Sequence, residues 1–240
     1  RIRVKRRCLE LRASTVIKVF LVLAALGCFA SSERGDIDKL PILARFDFED
    51  GTAKGWQPKN LDHWRVVKHG GSLVYELAAP GEQGKVRAPT SWSVIAGCDV
   101  TSFVFTGRLK CYAEASNPHR DLCIFFLYQD PTHFYYVHFS ASSDEAHNII
   151  GLVNGSDRVK VNHEPAGKSV FRLLDSNWHT FKVTCDDSSG KIQAFLDDME
   201  NPILTAVDTT FHHGLVGVGS FDDTGCFDDL ILRGEKHERR

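Results

Sequence analysis

Residues 42–234 form a succession of short segments in which apolar and polar side chains alternate, with turn residues between the segments. In NWHTFKVTC, for example, Phe181 and Val183 fall on one side of an extended chain and Lys182 falls on the other. An alternation of period two is typical of a half-buried antiparallel strand, and helical periodicity is almost absent. The pattern therefore predicts a protein built from β-strands.

The predicted strands are separated by turns with recognisable chemistry. Asn154-Gly155 is a typical hairpin turn, and Gly190 stands where a positive φ is expected. After an opening strand in ILARF, strands are predicted near residues 64–67, 72–77, 84–87, 101–112, 121–128, 134–140, 148–153, 157–161, 169–173, 178–185, 191–197, 203–207, 214–221 and 226–233. Many short strands at regular spacing predict an all-β fold, a two-sheet antiparallel β-sandwich of jelly-roll type.

The composition is that of an ordinary globular protein. The chain has 240 residues, of which 42% are hydrophobic and 25% are charged, and its formal net charge is -2. This length is enough for one substantial core. A nearly neutral chain without a long basic stripe lacks the electrostatic footprint of nucleic-acid-binding proteins, so we expect no nucleic-acid partner.

Residues 1–30 have the layout of a secretory signal peptide. The basic stretch RIRVKRR precedes an apolar run, Val19 to Ala30, that ends in small residues. The run is shorter than the helix of about 20 residues that spans a bilayer, so we expect a cleaved signal and no membrane span. The protein is therefore predicted to be exported. Lipidation at Cys28 is an alternative, because ALGC partly matches a lipoprotein box.

Cleavage leaves three regions, namely a linker (31–41), the jelly-roll sandwich (42–234) and a disordered tail (235–240). Five cysteines remain: Cys98, Cys111, Cys123, Cys185 and Cys226. Their number is odd and no C-x-x-C spacing occurs, so neither a zinc site nor a dense disulfide framework is predicted. The sequence leaves open whether one or two disulfides form or whether the cysteines are small buried side chains.

Two stretches resemble the concanavalin A-like (laminin G-like) jelly-roll superfamily. FDFEDGTAKGW is similar to its first strand and turn, and NWHTFKVTC…GKIQAFLDD…PILTAVDTTFHHGLVGVGSFDDTGCFDDLIL is similar to its C-terminal half. The resemblance covers roughly Ile42 to Gly234 and is closest to exported bacterial domains grouped with 3-keto-disaccharide hydrolases. The superfamily includes lectins, carbohydrate-binding modules, glycoside hydrolases and lyases, so the resemblance implies sugar chemistry as a class.

Three functions are compatible with this resemblance. The first is an exported domain that binds a glycan on a concave sheet face. The second is a glycoside hydrolase acting on a 3-keto-disaccharide or a related sugar, although the Glu-x-Asp-x-x-Glu strand of laminarinase-like hydrolases does not occur. The third is a structural or adhesion module without a sugar site.

The stretch HFYYVHFS, His133 to Ser140, is the main candidate for a sugar-binding face. Because side chains alternate across a strand, Tyr136 and His138 share one face, whereas Val137 and Phe139 share the other and are expected in the core. An aromatic ring beside polar groups suits a sugar, since the ring packs on C–H groups and the polar groups fix hydroxyls. The alternative is that Tyr136 and His138 are ordinary cross-strand pair residues.

Neighbouring polar residues complete the predicted sugar site. One pair precedes the strand before HFYYVHFS and another pair follows HFYYVHFS, so both pairs converge on its face. We predict substrate binding by Arg120, Asp121, Tyr136 and Asn148. His138 and His147 are the predicted catalytic pair, because imidazole suits acid–base work near neutral pH.

An acidic cluster near the first strand predicts a structural calcium ion. Calcium prefers several carboxylate and carbonyl oxygens. Jelly rolls resembling this chain often hold calcium between the first and last strands, which here implies Asp47, Asp50 and Asp228 as ligands. The alternative is a set of solvated or turn-capping carboxylates.

Overall fold

The computed structural model of the chain describes residues 37–114, 116–163 and 176–238. The predicted signal peptide, most of the linker and the strand expected near residues 169–173 lie outside these ranges. The described residues all belong to one unit, Asp36–Arg240. No helix among them is long and apolar enough to cross a membrane.

Fifteen strands account for most of the described chain, as the alternating pattern predicts. They are β1 Ile42–Phe46, β2 Trp56–Pro58, β3 Trp64–His69, β4 Ser72–Leu77, β5 Ser91–Ile95, β6 Val100–Cys111, β7 Asp121–Asp130, β8 His133–Ser140, β9 Ile149–Asn154, β10 Val159–Lys160, β11 His179–Asp186, β12 Lys191–Leu196, β13 Leu204–Val207, β14 Leu215–Ser220 and β15 Gly225–Lys236. Two short 3₁₀ turns, Ile37–Lys39 and Leu61–His63, are the helical elements of the described ranges.

The strands form two antiparallel sheets. The first sheet has eight strands in the order β13-β12-β11-β6-β15-β4-β3, with β1 paired to β15. The second has seven strands in the order β10-β9-β8-β7-β14-β5-β2. Neighbours along both sheets are often distant in sequence, as in a jelly roll. The predicted two-sheet β-sandwich is confirmed.

The main core lies between the two sheets. Val137 and Phe139 of β8 have no exposed surface and pack in it together with Phe103, Phe105 and Phe181 from the facing sheet. The alternation predicted for β8 is therefore confirmed for the core-facing half. At about 25 cal/mol per Å² of apolar surface removed from water, burial of such large side chains is the main stabilising contribution to this fold.

The outer face of the seven-stranded sheet carries a second apolar cluster, which we call the outer-face cluster. Tyr136 of β8 lies in it, fully buried, and its ring fills the space left by the missing side chain of Gly151 on β9. The other buried members are Ala88, Trp92, Val94, Cys123, Phe125, Phe134, Ile149 and Val153. Both faces of β7 and β8 are thus covered, and β7 is a central strand, as its nearly continuous apolar sequence predicts.

One strand prediction is wrong and two strands were not predicted. Residues 84–87 are irregular, because the backbone N–H of Arg87 bonds to the carboxylate of Asp157 at 2.8 Å instead of joining a ladder. The missed strands are the short β2 and β5. The serines of β5 resemble a loop in sequence, but Ser93 is buried and shares a hydrogen bond of 2.9 Å with Tyr75.

All five cysteines of the described residues are free and buried. Of the two alternatives left open by the sequence, the structure therefore favours small buried side chains. Burial raises the pKa of each thiol, most strongly for Cys123, where the Asp121 carboxylate adds to the effect.

Candidate functional site

A pocket of about 270 Å³ opens on the outer face of the seven-stranded sheet, beside the outer-face cluster. The side chains around it are mainly polar, with one aromatic ring among them. They are Arg87, His119, Asp121, His138, His147, Arg158, Phe221 and Asp222. Strands β7 and β8 supply the floor, and five different loops supply the wall.

Asp121, the first residue of β7, is held by the turn that follows β14. Its Oδ2 accepts the backbone N–H of Phe221 at 2.8 Å, and its Oδ1 accepts the Ser220 hydroxyl at 3.1 Å. Burial alone would raise the pKa of Asp121, but the neighbouring His138 and these hydrogen bonds outweigh burial and lower the pKa. Asp121 is therefore an ionised carboxylate without exposed surface.

His138 lies beside Asp121 on the pocket floor. Its Nδ1–H donates to the carbonyl of Ala146 at 2.8 Å, which fixes the orientation of the ring. Its Nε2 lies 3.1 Å from Asp121 Oδ2, but it is not aligned for a hydrogen bond and has no accessible surface. When His138 is protonated, this contact is a buried ion pair. The buried Nε2 limits direct contact between His138 and a ligand.

Two further histidines stack outward from His138. The His147 ring lies 5.4 Å from the His138 ring and 4.7 Å from the ring of His119, which is exposed. His147 Nδ1–H donates to Asp144 Oδ1 at 2.8 Å, so its position is fixed by a carboxylate outside the pocket. The rings of His147 and His119 form a wall that faces a ligand, whereas both nitrogen atoms of His138 are hydrogen-bonded or buried.

Two arginines and one aromatic ring form the opposite wall. The guanidinium carbons of Arg158 and Arg87 lie 4.5 Å and 5.7 Å from the ring centre of Phe221. The backbone N–H of Arg158 donates to the carbonyl of Arg87 at 3.0 Å, so the two loops that carry the arginines are joined. A guanidinium above a ring face is favourable because the ring quadrupole is negative there.

The charge of Asp121 changes the pKa values of two neighbouring acidic side chains. Burial, together with the Asp121 carboxylate, raises the pKa of Asp222, and the same causes raise the pKa of Asp223 to about 6. Asp223 Oδ2 accepts the backbone N–H of Asp121 at 2.8 Å, which places it behind the pocket floor. Asp222 lines the pocket itself and is exposed.

The structure brings together three of the predicted site residues, Asp121, His138 and His147, in this pocket. Tyr136 lies beneath it, and its hydroxyl is buried without a hydrogen-bond partner. Burial raises the pKa of Tyr136. The predicted exposure of Tyr136 as a platform for a sugar ring is therefore wrong, because the outer-face cluster covers the ring.

Two predicted substrate contacts do not line the pocket. Arg120, which directly precedes β7, is fully buried, and its Nη2 donates to the carbonyl of Ala113. Asn148 fixes the loop between β8 and β9: its side chain accepts the N–H of Ser140 at 2.8 Å and donates to the carbonyl of Ser142 at 2.8 Å. Asn148 therefore positions its neighbour His147.

The predicted calcium ligands are engaged in local contacts. Asp228 is buried and accepts a hydrogen bond from Arg108 at 2.8 Å. Asp47 and Asp50 accept backbone N–H groups within their own turn, from Glu49 at 3.2 Å and Thr52 at 2.8 Å. In the described ranges, potential metal ligands converge in two other groups, Asp121–Cys123–His138 and Asp121–Asp222–Asp223. Calcium at Asp47, Asp50 and Asp228 stays a prediction.

Sequence reasoning missed Arg87, His119, Arg158, Phe221 and Asp222 as pocket residues. Each belongs to a loop, and the loops converge only through the order of the sheets. The one available signal was Arg158, which follows the Asn154-Gly155 turn at the end of the strand beside HFYYVHFS.

Comparisons with known proteins agree on the architecture. No protein-family model matches the chain, and no curated protein matches it. Among solved structures, the chain is similar to the winged bean acidic lectin complexed with methyl-α-D-galactose, with 13% identity and a TM-score of 0.53 over 81% of this chain and 98% of the lectin.

Two bacterial structures give the same result. The carbohydrate-binding module CBM66 from Bacillus subtilis has 14% identity and a TM-score of 0.51 over 75% of this chain and 96% of the module. A putative glycosyl hydrolase from Parabacteroides distasonis has 12% identity and a TM-score of 0.51 over 79% of this chain and 93% of its own. At such identities the likeness establishes the fold. The chain has the concanavalin A-like jelly-roll fold that its sequence predicts.

Proposed function

We propose that this protein is an exported carbohydrate-binding jelly roll whose ligand site is the outer-face pocket. The observation that carries the proposal is the convergence of imidazole, guanidinium and carboxylate groups around the Phe221 ring in one pocket. Sugar hydroxyls are recognised by convergent hydrogen-bonding groups in a concave site. The similar lectin and carbohydrate-binding module, at low identity, are in keeping with this class of ligand.

The binding test measures ligand-induced thermal stabilisation of the full chain with a panel of neutral and acidic oligosaccharides. A ligand that binds only the folded state raises Tm by mass action. We expect His147→Ala to lose most of the rise in Tm, because His147 lines the pocket. The matched control is His212→Ala, which removes a similar histidine–aspartate pair outside the pocket. If no glycan raises Tm, the structural or adhesion function is favoured instead.

A glycoside hydrolase is the second candidate, favoured by the buried carboxylate–imidazole pair of Asp121 and His138. In that case His147, whose ring is partly exposed and fixed by Asp144, would exchange the proton with the substrate. The assay follows sugar release from a 3-keto-disaccharide and from simple glycosides. We expect no turnover; turnover that disappears in His147→Ala and survives in His212→Ala would favour the hydrolase.

Export rests on the sequence of residues 1–30, and its test is independent of the pocket. Expression of the full chain in a bacterial host, followed by N-terminal sequencing of the exported protein, should give a mature start near residue 31. Retention of the uncleaved chain in the cytoplasm would contradict export.

A further inference from the structure

The two arginines of the pocket lack an acidic partner, whereas two arginines of the eight-stranded sheet have one. In the described part of the chain, Arg65 pairs with Glu76 at 2.5 Å, and Arg108 pairs with Asp228 at 2.8 Å. Neither Arg87 nor Arg158 forms an ion pair with any described residue. Two guanidinium groups thus lie over the Phe221 ring without an ion-pair partner among the described residues, although Asp222 feels the charge of Arg87.

Arg158 is the more constrained of the two. Its side chain is half-buried, and its Nη1 is buried without a hydrogen-bond partner among the described residues. A guanidinium has five N–H donors and no acceptor, so only an acceptor from outside can satisfy it. A buried donor left unsatisfied carries a desolvation cost, which a ligand acceptor would remove on binding.

The acids of the pocket do not fill this role. Asp121 is already satisfied by backbone and hydroxyl donors and lies next to His138. Asp222 is exposed at the rim and forms no ion pair with either arginine. The positive end of the pocket, at Arg87 and Arg158, is therefore open to an anion.

We propose that the ligand is an anionic saccharide, with the carboxylate or sulfate of one sugar unit placed against Arg158 and Arg87. This inference rests on the proposed carbohydrate-binding function and names its substrate class. The guanidinium fork matches planar oxyanions in a bidentate geometry, which a sugar hydroxyl does not provide. The rest of the sugar then faces the rings of His147 and His119, which are more exposed than Phe221.

The size of the pocket sets the length of the recognised unit. At about 270 Å³ it lies just below the range of about 300 to 1,000 Å³ that is usual for drug-sized ligands. It therefore accommodates one charged sugar unit rather than an extended chain. Neighbouring units of a polysaccharide would lie outside, toward exposed residues such as His119.

The test is isothermal titration of the full chain with matched oligosaccharides. The probes are an oligogalacturonate, its methyl ester, a sulfated galacto-oligosaccharide and the corresponding neutral galacto-oligosaccharide. We expect the charged probes to bind at least roughly tenfold more tightly than their neutral counterparts, because charge-assisted hydrogen bonds are strong. The comparison of galacturonate with sulfated probe decides between a carboxylate and a sulfate. Binding of a charged probe should also weaken as salt increases.

Three variants connect this preference to the pocket. Arg158→Gln and Arg87→Gln should each reduce the affinity for the charged probe by roughly tenfold, and Arg158→Lys should restore only part of it. The matched control is Arg45→Gln, an exposed arginine on β1 of the other sheet. Because Arg87 is exposed, its variant tests the site even if substitution of Arg158 lowers stability.

Two outcomes would overturn the inference, and they are distinguishable. Equal binding of charged and neutral probes, unaffected by Arg158→Gln, contradicts an anionic ligand but leaves carbohydrate binding intact. No binding of any probe, together with no effect of the wider oligosaccharide panel on Tm, contradicts the proposed function itself.

Discussion

Two buried carboxylates, one in each sheet, are neutralised in different ways. Asp121 accepts hydrogen bonds from a backbone N–H and a hydroxyl and lies 3.1 Å from His138 Nε2, and its pKa is lowered. Asp228 has a permanently charged partner in Arg108, yet its pKa is raised, because burial and the adjacent Asp229 outweigh the attraction. At Asp121 the charge of His138 and the hydrogen bonds together outweigh burial, whereas at Asp228 the attraction of Arg108 does not.

The same comparison distinguishes the pocket at Asp121 from the purely structural ion pairs at Asp228. Arg108 pairs with Asp228 at 2.8 Å and with Asp229 at 2.7 Å, so both carboxylates already have a cationic partner within the protein. At Asp121 the hydrogen-bond donors belong to the end of β14 and the turn after it, and the more exposed side chains of the pocket, such as His147 and Arg87, remain available to a ligand. Local acidic clusters in the sequence do not distinguish these two situations.

The largest effect is expected from Asp121→Asn. The substitution removes the charge beside His138 and places an amide N–H₂ group against existing donors. Loss of one member of a buried pair typically costs about 3 kcal/mol or more, and we expect a fall of this size in the free energy of unfolding. Urea denaturation at pH 7 measures it. Asp222→Asn, at the exposed rim, is the control and should change stability little; a similar loss in both variants would contradict the role given to Asp121.

A smaller effect is expected from Asp228→Asn. Its partner Arg108 is 36% exposed and keeps Asp229, and burial already offsets much of the attraction on Asp228. We expect a loss of about 1 kcal/mol in the same denaturation experiment. A loss as large as that of Asp121→Asn would contradict the weaker net attraction inferred for Asp228.

The pH dependence of stability tests the raised pKa of Asp223. Because this pKa is about 6 in the folded protein, the folded state binds more protons than the unfolded state in the range between the ordinary value of 3.8 and 6. Stability contributed by the protonated group is present below pH 3.8 and is lost as the pH rises through 6.

Asp223→Asn should therefore be more stable than the parent above pH 6 by about 1 kcal/mol, and equal to it near pH 3.5. An Asn side chain can still accept the N–H of Asp121. Thermal denaturation from pH 3.5 to 8 measures the difference. Asp62→Asn, an exposed position, should show no such dependence, and a difference of constant size across this range would contradict the raised pKa.

The smallest effect is expected from removal of calcium. A calcium ion bound by Asp47, Asp50 and Asp228 would have to displace Arg108 from Asp228. We therefore expect a chelator to shift Tm by less than about a degree, since little binding free energy is at stake. A fall of several degrees, reversed by added calcium and absent in Asp228→Asn, would support the calcium site that the sequence predicts.

Much of the fold was predictable because the alternating pattern reports directly on burial. Strand β11 follows the pattern, whereas β8 is buried on both faces. The pattern fails where buried polar groups find partners from distant strands, as Ser93 does with Tyr75. It also fails where a lone apolar residue packs without joining a sheet, as Val86 does against the outer-face cluster.

Only the pocket residues that lie on strands were predictable from the sequence. The alternation on β8 places His138 on the outer face, but it does not reveal what covers that face. Whether Tyr136 is exposed depends on residues of the β4–β5 segment, such as Ala88, and on Gly151, whose missing side chain admits the ring. The arginines belong to loops whose approach follows from the sheet order, so no local pattern marks them.

Because the cysteine thiols are buried, their rates of alkylation report how often the surrounding structure opens. A thiol reacts as the thiolate, and burial together with a raised pKa keeps that form scarce in the native state. The alkylation rate of Cys123, which lies between Asp121 and the outer-face cluster, therefore measures how often the pocket floor opens. The alkylation rate of Cys185, in the opposite sheet, serves as the reference for unfolding of the whole sandwich. A ligand that slows the first rate more than the second must act on the pocket side of the molecule.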